Sequence, residues 1–158
     1  MRTSPALKKL VLAHPFLANV KPSVGLHFCQ CGSLQRFDVG KQLFCEGGKA
    51  DSFYLINNGQ VLLEAFVPGR RMITIQAVGP GEALGWSWLF PPHQWHFSAT
   101  AVKPTEALVF AAKRLREKAQ QDHEFCYELV IRLAGVLAGR LEDVRTRLIY
   151  AHQYTPGI

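Results

Sequence analysis

The chain has 158 residues, of which 48% are hydrophobic and 19% are charged, and its formal net charge is +6. This length fits one domain with a sizeable core, and the hydrophobic content excludes an intrinsically disordered chain. The positive charge does not by itself predict nucleic-acid binding, because the Lys and Arg residues are scattered singly and in pairs. The sequence contains no apolar run of about 18 residues and no good signal peptide, so it predicts no membrane span and a cytoplasmic location.

The four cysteines, Cys29, Cys31, Cys45 and Cys126, are too few for a secreted disulfide scaffold. An iron–sulfur cluster usually needs four converging thiolates, often with two-residue spacings, and this chain has a single C-x-C. We therefore expect reduced, buried cysteines that behave as small hydrophobic residues, with no metal and no cofactor.

Two short helices are predicted before the first strand. Ser4-Pro5 is a typical N-cap and first-turn pair, and apolar residues follow at helical spacing until His14-Pro15 ends the helix. Lys21-Pro22 begins a second helix that runs to about residue 30, where Gly32 stops it.

From residue 32 onward, short strands with period two alternate with turn residues. Asn57-Asn58-Gly59 and Pro68-Gly69 are the clearest hairpin signals. Short strands at this spacing predict an antiparallel double-sheet roll. The predicted strands cover residues 34–39, 42–45, 51–56, 60–67, 71–78, 97–102 and 107–111.

The C-terminal part changes to a helical pattern, with helices predicted at residues 113–121 and, capped by Asp122, at 123–150. The helix at 123–150 spans roughly 40 Å, which is more than a small roll can cover. Part of the apolar stripe along this helix therefore needs another partner. Gly135 and Gly139 lie beside the stripe and would let another helix approach closely. The predicted stripe consists of Val130, Leu133, Leu137, Leu141, Val144 and Leu148.

Residues 81–101 are the most informative segment. Gly81-Glu82 opens it, a strand-like run that includes Ser98-Ala99 closes it, and a long aromatic loop lies between. Glycines around one acid let the backbone approach a ligand closely, with N–H groups free to face an anion. The loop contains three tryptophans, Trp86, Trp88 and Trp95.

The order of helices, roll and long helix, with Gly40, Gly47, the strand-turn-strand run at residues 50–61 and Gly81-Glu82, resembles the cyclic nucleotide-binding domain of bacterial cyclic AMP receptor and FNR-type regulators. The resemblance covers nearly the whole chain and implies a single domain over residues 1–158, with the roll at about 32–111 and the C-terminal helices at about 113–150. It implies that Glu82 accepts a hydrogen bond from a ribose hydroxyl. The family's phosphate-binding arginine falls on Phe97, so we expect a cyclic nucleotide to bind weakly or not at all.

Carried over residue by residue, the resemblance gives a set of candidate ligand-binding positions. We add Arg71, from a predicted hairpin tip, as a substitute cation. The set is Gly81, Glu82, Ala83, Leu84, Gly85, Trp95, Phe97, Ser98, Ala99 and Arg71.

Two functional interpretations remain open. In the first, the chain is a stand-alone regulatory or sensor domain with a degenerate cassette, which takes a small-molecule ligand and passes its state to a protein partner. It forms a homodimer through the last helix, at Leu133, Leu137, Leu141, Val144 and Leu148. In the second, it is an interaction module whose pocket is plugged by its own tryptophans. We expect no direct DNA binding, because the eight residues after 150 are too few for a helix-turn-helix.

A cupin-like metal enzyme is a third, less favoured interpretation, with His93, His96 and Glu82 as ligands. Cupins place two histidines as H-x-H on one strand, whereas His93-x-x-His96 lies in a proline-rich loop. The sequence therefore favours a protein that is not an enzyme.

Overall fold

Two antiparallel sheets form the centre of the molecule. The computed structural model describes residues 3–154, without the side chain of Tyr154. The described residues contain eight strands, arranged in the orders β1-β8-β3-β6 and β2-β7-β4-β5. They are β1 Gly32–Phe37, β2 Gln42–Phe44, β3 Ser52–Asn58, β4 Val61–Val67, β5 Arg71–Val78, β6 Ala83–Leu84, β7 Ser98–Ala101 and β8 Thr105–Ala111.

Helices lie at both ends of the chain. The side-chain oxygen of Ser4 accepts a hydrogen bond from the Leu7 N–H at 3.2 Å, and the Asp122 carboxylate accepts one from the Phe125 N–H at 3.1 Å. Both predicted N-caps are therefore present. The helices are α1 Pro5–Ala13, a 3-10 turn at Pro15–Leu17, α2 Pro22–Cys31, α3 Ala112–Gln121 and α4 His123–Tyr154.

The predicted antiparallel roll with N-terminal helices and a long C-terminal helix is confirmed. Two elements were not predicted, the 3-10 turn and β6, because each is too short to show a period. The expectation that all four cysteines are buried is wrong for Cys45, which is exposed on the turn after β2, and Cys31 and Cys126 are only half-buried. Cys29 is buried, and burial raises the pKa values of the Cys29 and Cys31 thiols, which keeps them protonated.

Aromatic rings join the helices to the sheet that contains β8. Phe28 of α2 lies 5.5 Å from Phe110 of β8 and 5.4 Å from Phe125 of α4, measured between ring centroids. All three side chains are fully buried. Burial of this size stabilises the fold by roughly 2–3 kcal/mol per side chain, which fixes the first part of α4 against the roll.

His14 connects the N-terminal helices to the start of the 81–101 segment. Its Nε2 donates to the Ile56 carbonyl at 2.9 Å, while Nδ1 accepts from the Phe16 N–H at 3.2 Å. The same Ile56 carbonyl accepts from the Gly81 N–H, and the Ile56 N–H donates to the Glu82 carbonyl, both at 2.9 Å. Burial lowers the pKa of His14, so the neutral ring that this pattern requires is favoured.

Gly59, at the β3–β4 turn, has no room for a side chain, in contrast to Gly40. Its φ is +96°, and a Cβ there would lie 2.5 Å from the Pro104 carbonyl oxygen, whereas a Cβ at Gly40, with φ +87°, would meet nothing within 4 Å. We expect Gly59→Ala to lower the free energy of unfolding by roughly 3 kcal/mol and Gly40→Ala by about 1 kcal/mol. Denaturant midpoints at constant m-value measure both, and equal losses would contradict the turn geometry.

Candidate functional site

The start of the 81–101 segment folds back on itself. The carboxylate of Glu82 accepts a hydrogen bond from the Gly79 N–H at 2.6 Å, and the Glu82 N–H donates to the Gly79 carbonyl at 3.2 Å. The next two residues form β6, which pairs with β3 through Leu55 and Ala83. Glu82 therefore stands at the surface next to a sheet edge.

The interior of the segment is filled with aromatic rings. Trp95 stacks face to face on Phe44, with 3.7 Å between ring centroids and 10° between planes. Phe97 lies 6.1 Å from Phe44 and 6.4 Å from Trp86. Trp95 is 3% exposed and Phe97 is 8% exposed. The position that the resemblance assigns to a phosphate-binding arginine thus lies within an apolar aromatic cluster.

Trp88 and Gly85 complete this aromatic packing. Trp88 is fully buried, 5.1 Å from the Phe53 ring, and its indole N–H donates to the Gly85 carbonyl at 3.1 Å. Gly85 has φ +92°, and a Cβ there would lie 2.8 Å from the Trp95 ring. Only glycine fits between this backbone turn and the indole of Trp95.

The other sequence-predicted positions are divided between the sheets and the surface. Leu84 is buried in β6, and Ser98 and Ala99 are buried in β7, where the Ser98 hydroxyl accepts from the Glu46 N–H at 2.9 Å. Arg71 is exposed at the β4–β5 hairpin tip. It lies five positions before Gln76, or about 16 Å along an extended strand, so the structure does not bring it to the residues around Glu82.

The two loop histidines make local contacts. Nδ1 of His96 lies 2.8 Å from the Ser87 hydroxyl, and the His96 ring stacks on Trp86 at 4.8 Å. The His93 carbonyl accepts from the Ala50 N–H at 2.8 Å. Across residues 3–154, no three His, Cys, Asp or Glu side chains are grouped in a way that could hold a metal ion.

A cavity of about 470 Å³ lies where the edges of the two sheets face α4, and we call it the sheet-edge cavity. β6 is the edge of one sheet and β5 is the edge of the other. Arg140 donates to the Ala83 carbonyl of β6, and Arg147 donates to the Ile75 carbonyl of β5. The lining residues are Pro15, Phe16, Gln76, Gly81, Glu82, Ala83, Arg132, Gly135, Val136, Gly139, Arg140 and Asp143.

The two arginines at this cavity, Arg132 and Arg140, differ in how many of their N–H groups have partners. Arg132 makes an ion pair with Glu128 at 3.2 Å and donates to the Phe16 and Ala18 carbonyls at 2.8 and 2.9 Å. Arg140 has a buried Nη1 without a hydrogen-bond partner among the described residues. Burial lowers the pKa of Arg140, and the Glu82 and Asp143 carboxylates oppose this shift. The cavity therefore presents one incompletely paired guanidinium beside two carboxylates.

A family comparison now accounts for this architecture. The model of the cyclic nucleotide-binding domain family matches residues 34–122, which is more than half of the chain. The chain belongs to the cyclic nucleotide-binding domain family. The match includes most of the roll and the segment from Gly81 to Ala101, which we call the cassette because it resembles the family's cassette.

Solved structures of three proteins have the same fold. A cyclic nucleotide-binding domain from Methylobacillus flagellatus KT superposes with a TM-score of 0.82 at 20% identity, covering 97% of this chain and 86% of that one. DNR from Pseudomonas aeruginosa gives 0.72 at 18% identity, with coverages of 100% and 75%. The catabolite activator protein of Thermus thermophilus gives 0.68 at 24% identity, with coverages of 87% and 63%.

Among curated proteins, lysophospholipase nte1 from Neosartorya fischeri is 22% identical over 131 residues, and its counterpart from Aspergillus fumigatus is 21% identical. The aligned part is 83% of this chain but 8% of each relative. The chain therefore spans a small fraction of these relatives. No helix within residues 3–154 combines the length and the apolar character that a bilayer crossing requires.

Some apolar residues of α4 near its start are buried, and those farther along are mostly exposed. Phe125, Leu129 and Leu133 are buried in the protein's own core. The assignment of Leu133 to a free dimer seam is therefore wrong, since it is 2% exposed. Leu137 is half-buried. The other apolar stripe residues of this helix are exposed: Val130, Leu141, Val144 and Leu148.

The sequence did not single out the α4 residues that line the cavity. Arg140 and Asp143 were not singled out as site residues, and Gly135 and Gly139 were interpreted as space for another helix. A Cβ at either glycine would meet nothing within 4 Å, because both line the cavity. Their spacing could have identified these residues. Val136, Arg140 and Asp143 lie three or four positions apart, which places them on one side of α4. That side also carries the buried Leu129 and Leu133, so it faces the roll.

Replacing Trp95 measures how far the cassette is part of the core. We expect Trp95→Ala to lower the free energy of unfolding by about 3–5 kcal/mol, since it removes a buried ring stacked on Phe44. Trp86→Ala is the matched control and should cost less than half as much, because Trp86 is only partly buried. A near-zero loss for Trp95→Ala would indicate that the ring lines an open ligand site.

Proposed function

We propose that this protein is a homodimeric regulatory domain that signals through α4, and that its cassette interior no longer binds a cyclic nucleotide phosphate. The observation that carries the proposal is the repeat on the exposed face of α4. Tyr127, Ala134, Leu141 and Leu148 recur every seven residues, with a second series three positions later: Val130, Leu137 and Val144.

A seven-residue repeat of this kind selects one type of partner. Helices with apolar residues at alternating spacings of three and four supercoil around each other, because the seam then stays on the partner helix. The nearest partner with a matching repeat is a second copy of α4. Ala134 contributes a small side chain at one seam position, which allows close approach there.

The cassette supports a regulatory function that has lost its original ligand contact. Phe97 cannot donate the charge-assisted, bidentate hydrogen bonds with which an arginine holds a phosphate. The neighbouring rings of Trp95 and Phe44 leave the phosphate position apolar. The burial of Trp88 and Trp95 also fits the second candidate, an interaction module without any ligand.

The proposed activity is regulatory rather than catalytic. Glu82, Arg140 and Asp143 at the sheet-edge cavity each have one backbone or side-chain partner, and Nη1 of Arg140 lacks one among the described residues. Transmission to a protein partner would then occur through α4, whose position depends on the contacts of Arg140 and Arg147 with the two sheet edges.

The dimer is tested with a double substitution in the seam. Leu137→Glu with Leu141→Glu would bury unpaired carboxylates in an apolar interface, which costs several kcal/mol. We expect the dissociation constant of the dimer to rise at least a hundredfold, and sedimentation velocity to report a monomer.

The control variant carries the same chemical change elsewhere. Leu12 and Leu26 are exposed leucines on α1 and α2, outside the seven-residue repeat of α4. Leu12→Glu with Leu26→Glu should leave the protein dimeric. A seam variant that stays dimeric at the wild-type concentration range would refute the α4 seam.

A further inference from the structure

The sheet-edge cavity has room for a small molecule. Its volume of about 470 Å³ lies in the range of small-molecule sites in proteins. The room exists because Gly135 and Gly139 present no side chain on the cavity side of α4. Glycine within a helix is less favourable than alanine, and here no neighbouring atom needs the space.

The charges select the chemistry of an occupant. Arg132 already uses four of its five N–H groups on Glu128 and two backbone carbonyls. The groups left to face an occupant are the guanidinium of Arg140 and the carboxylates of Glu82 and Asp143. A simple anion would meet two carboxylates for one guanidinium, and a simple cation would leave Nη1 of Arg140 without an acceptor.

The positions of these groups place opposite charges side by side. Arg140 donates to the carbonyl of Ala83, the residue that follows Glu82 in the chain. Asp143 lies three residues after Arg140, on the same side of α4, and is held by Gln76 at 3.5 Å. An occupant bonded to Arg140 therefore has a carboxylate within reach on both the β6 side and the α4 side.

We propose that the sheet-edge cavity binds a small zwitterion of the α-amino-acid class. Its carboxylate pairs with Arg140, and its ammonium group pairs with Glu82 and Asp143. The remaining wall is formed by Pro15, Phe16 and Val136. This wall favours an amino acid with an apolar side chain of medium size. The inference rests on the proposed regulatory function and names the ligand class that would occupy the cavity.

The first test is a thermal-shift and calorimetric titration of the full chain with the twenty standard amino acids. We expect at least one apolar amino acid to raise the melting temperature by several degrees at saturation. Two analogues of that amino acid, the amine without its carboxylate and the acid without its ammonium group, should each bind at least tenfold more weakly. The proposal is overturned if no amino acid binds, or if either analogue binds as well as the zwitterion.

The second test uses a matched pair of variants at Gly139. This residue is on the cavity side of α4, two positions from Leu137 and Leu141, and it does not belong to the seven-residue repeat. Gly139→Ala should retain binding, whereas Gly139→Leu fills the cavity and should weaken binding at least tenfold. Wild-type affinity in Gly139→Leu would overturn the proposal.

Arg140→Gln examines the carboxylate contact and should also weaken binding at least tenfold. If this variant does not fold because the contact with Ala83 is lost, the comparison of Gly139→Ala with Gly139→Leu still tests whether the amino acid binds in the cavity. Sedimentation of the same samples separates the two proposals. A dimer that binds no amino acid refutes only the ligand class, and a monomer that binds one refutes only the dimeric regulatory function.

Discussion

The face-to-face stack of Trp95 on Phe44 is the contact on which the rest of the cassette depends. It joins the end of the aromatic loop to β2, and Phe97 packs beside it, 6.1 Å from Phe44 and 8% exposed. Gly85 must remain glycine because the Trp95 ring occupies the space of a Cβ. The aromatic part of this segment belongs to the hydrophobic core, and this packing supports the proposal that the segment no longer holds a phosphate.

The long helix α4 connects the region around this segment to the outside of the molecule. Phe125 and Leu129 anchor its first turns in the core, while Arg140 and Arg147 attach its later turns to the two sheet edges by charge-assisted hydrogen bonds. Polar contacts near the surface are weaker than apolar burial and depend on salt. The later turns of α4 are therefore the part whose position a ligand or a partner can change most readily.

Much of the fold could be predicted from the sequence. The hairpin at Asn57-Asn58-Gly59 and the Asp122 cap were predictable because turn and cap residues act on their immediate neighbours. β6 was not, since Ala83 and Leu84 form a strand only because β3 lies beside them. A two-residue element carries no period of its own.

The candidate site was predictable only in part. Resemblance to the family directed attention to Gly81-Glu82 and Phe97, and their roles as site residues stay predictions. The sheet-edge cavity could not, because it depends on where α4 lies relative to two strands distant in sequence. Leu133 and Leu137 illustrate this limit, since both are apolar and four residues apart. Only the angle at which α4 meets the roll decides that Leu133 packs into the core.

The central claim is that aromatic packing has replaced phosphate binding in the cassette, and calorimetric titration with cyclic AMP tests it most directly. The missing guanidinium removes a charge-assisted pair worth a few kcal/mol, which corresponds to about a hundredfold or more in affinity. We predict no measurable heat of binding at micromolar concentrations of cyclic AMP. A sub-micromolar dissociation constant would contradict the claim and would require another cation to reach the cassette.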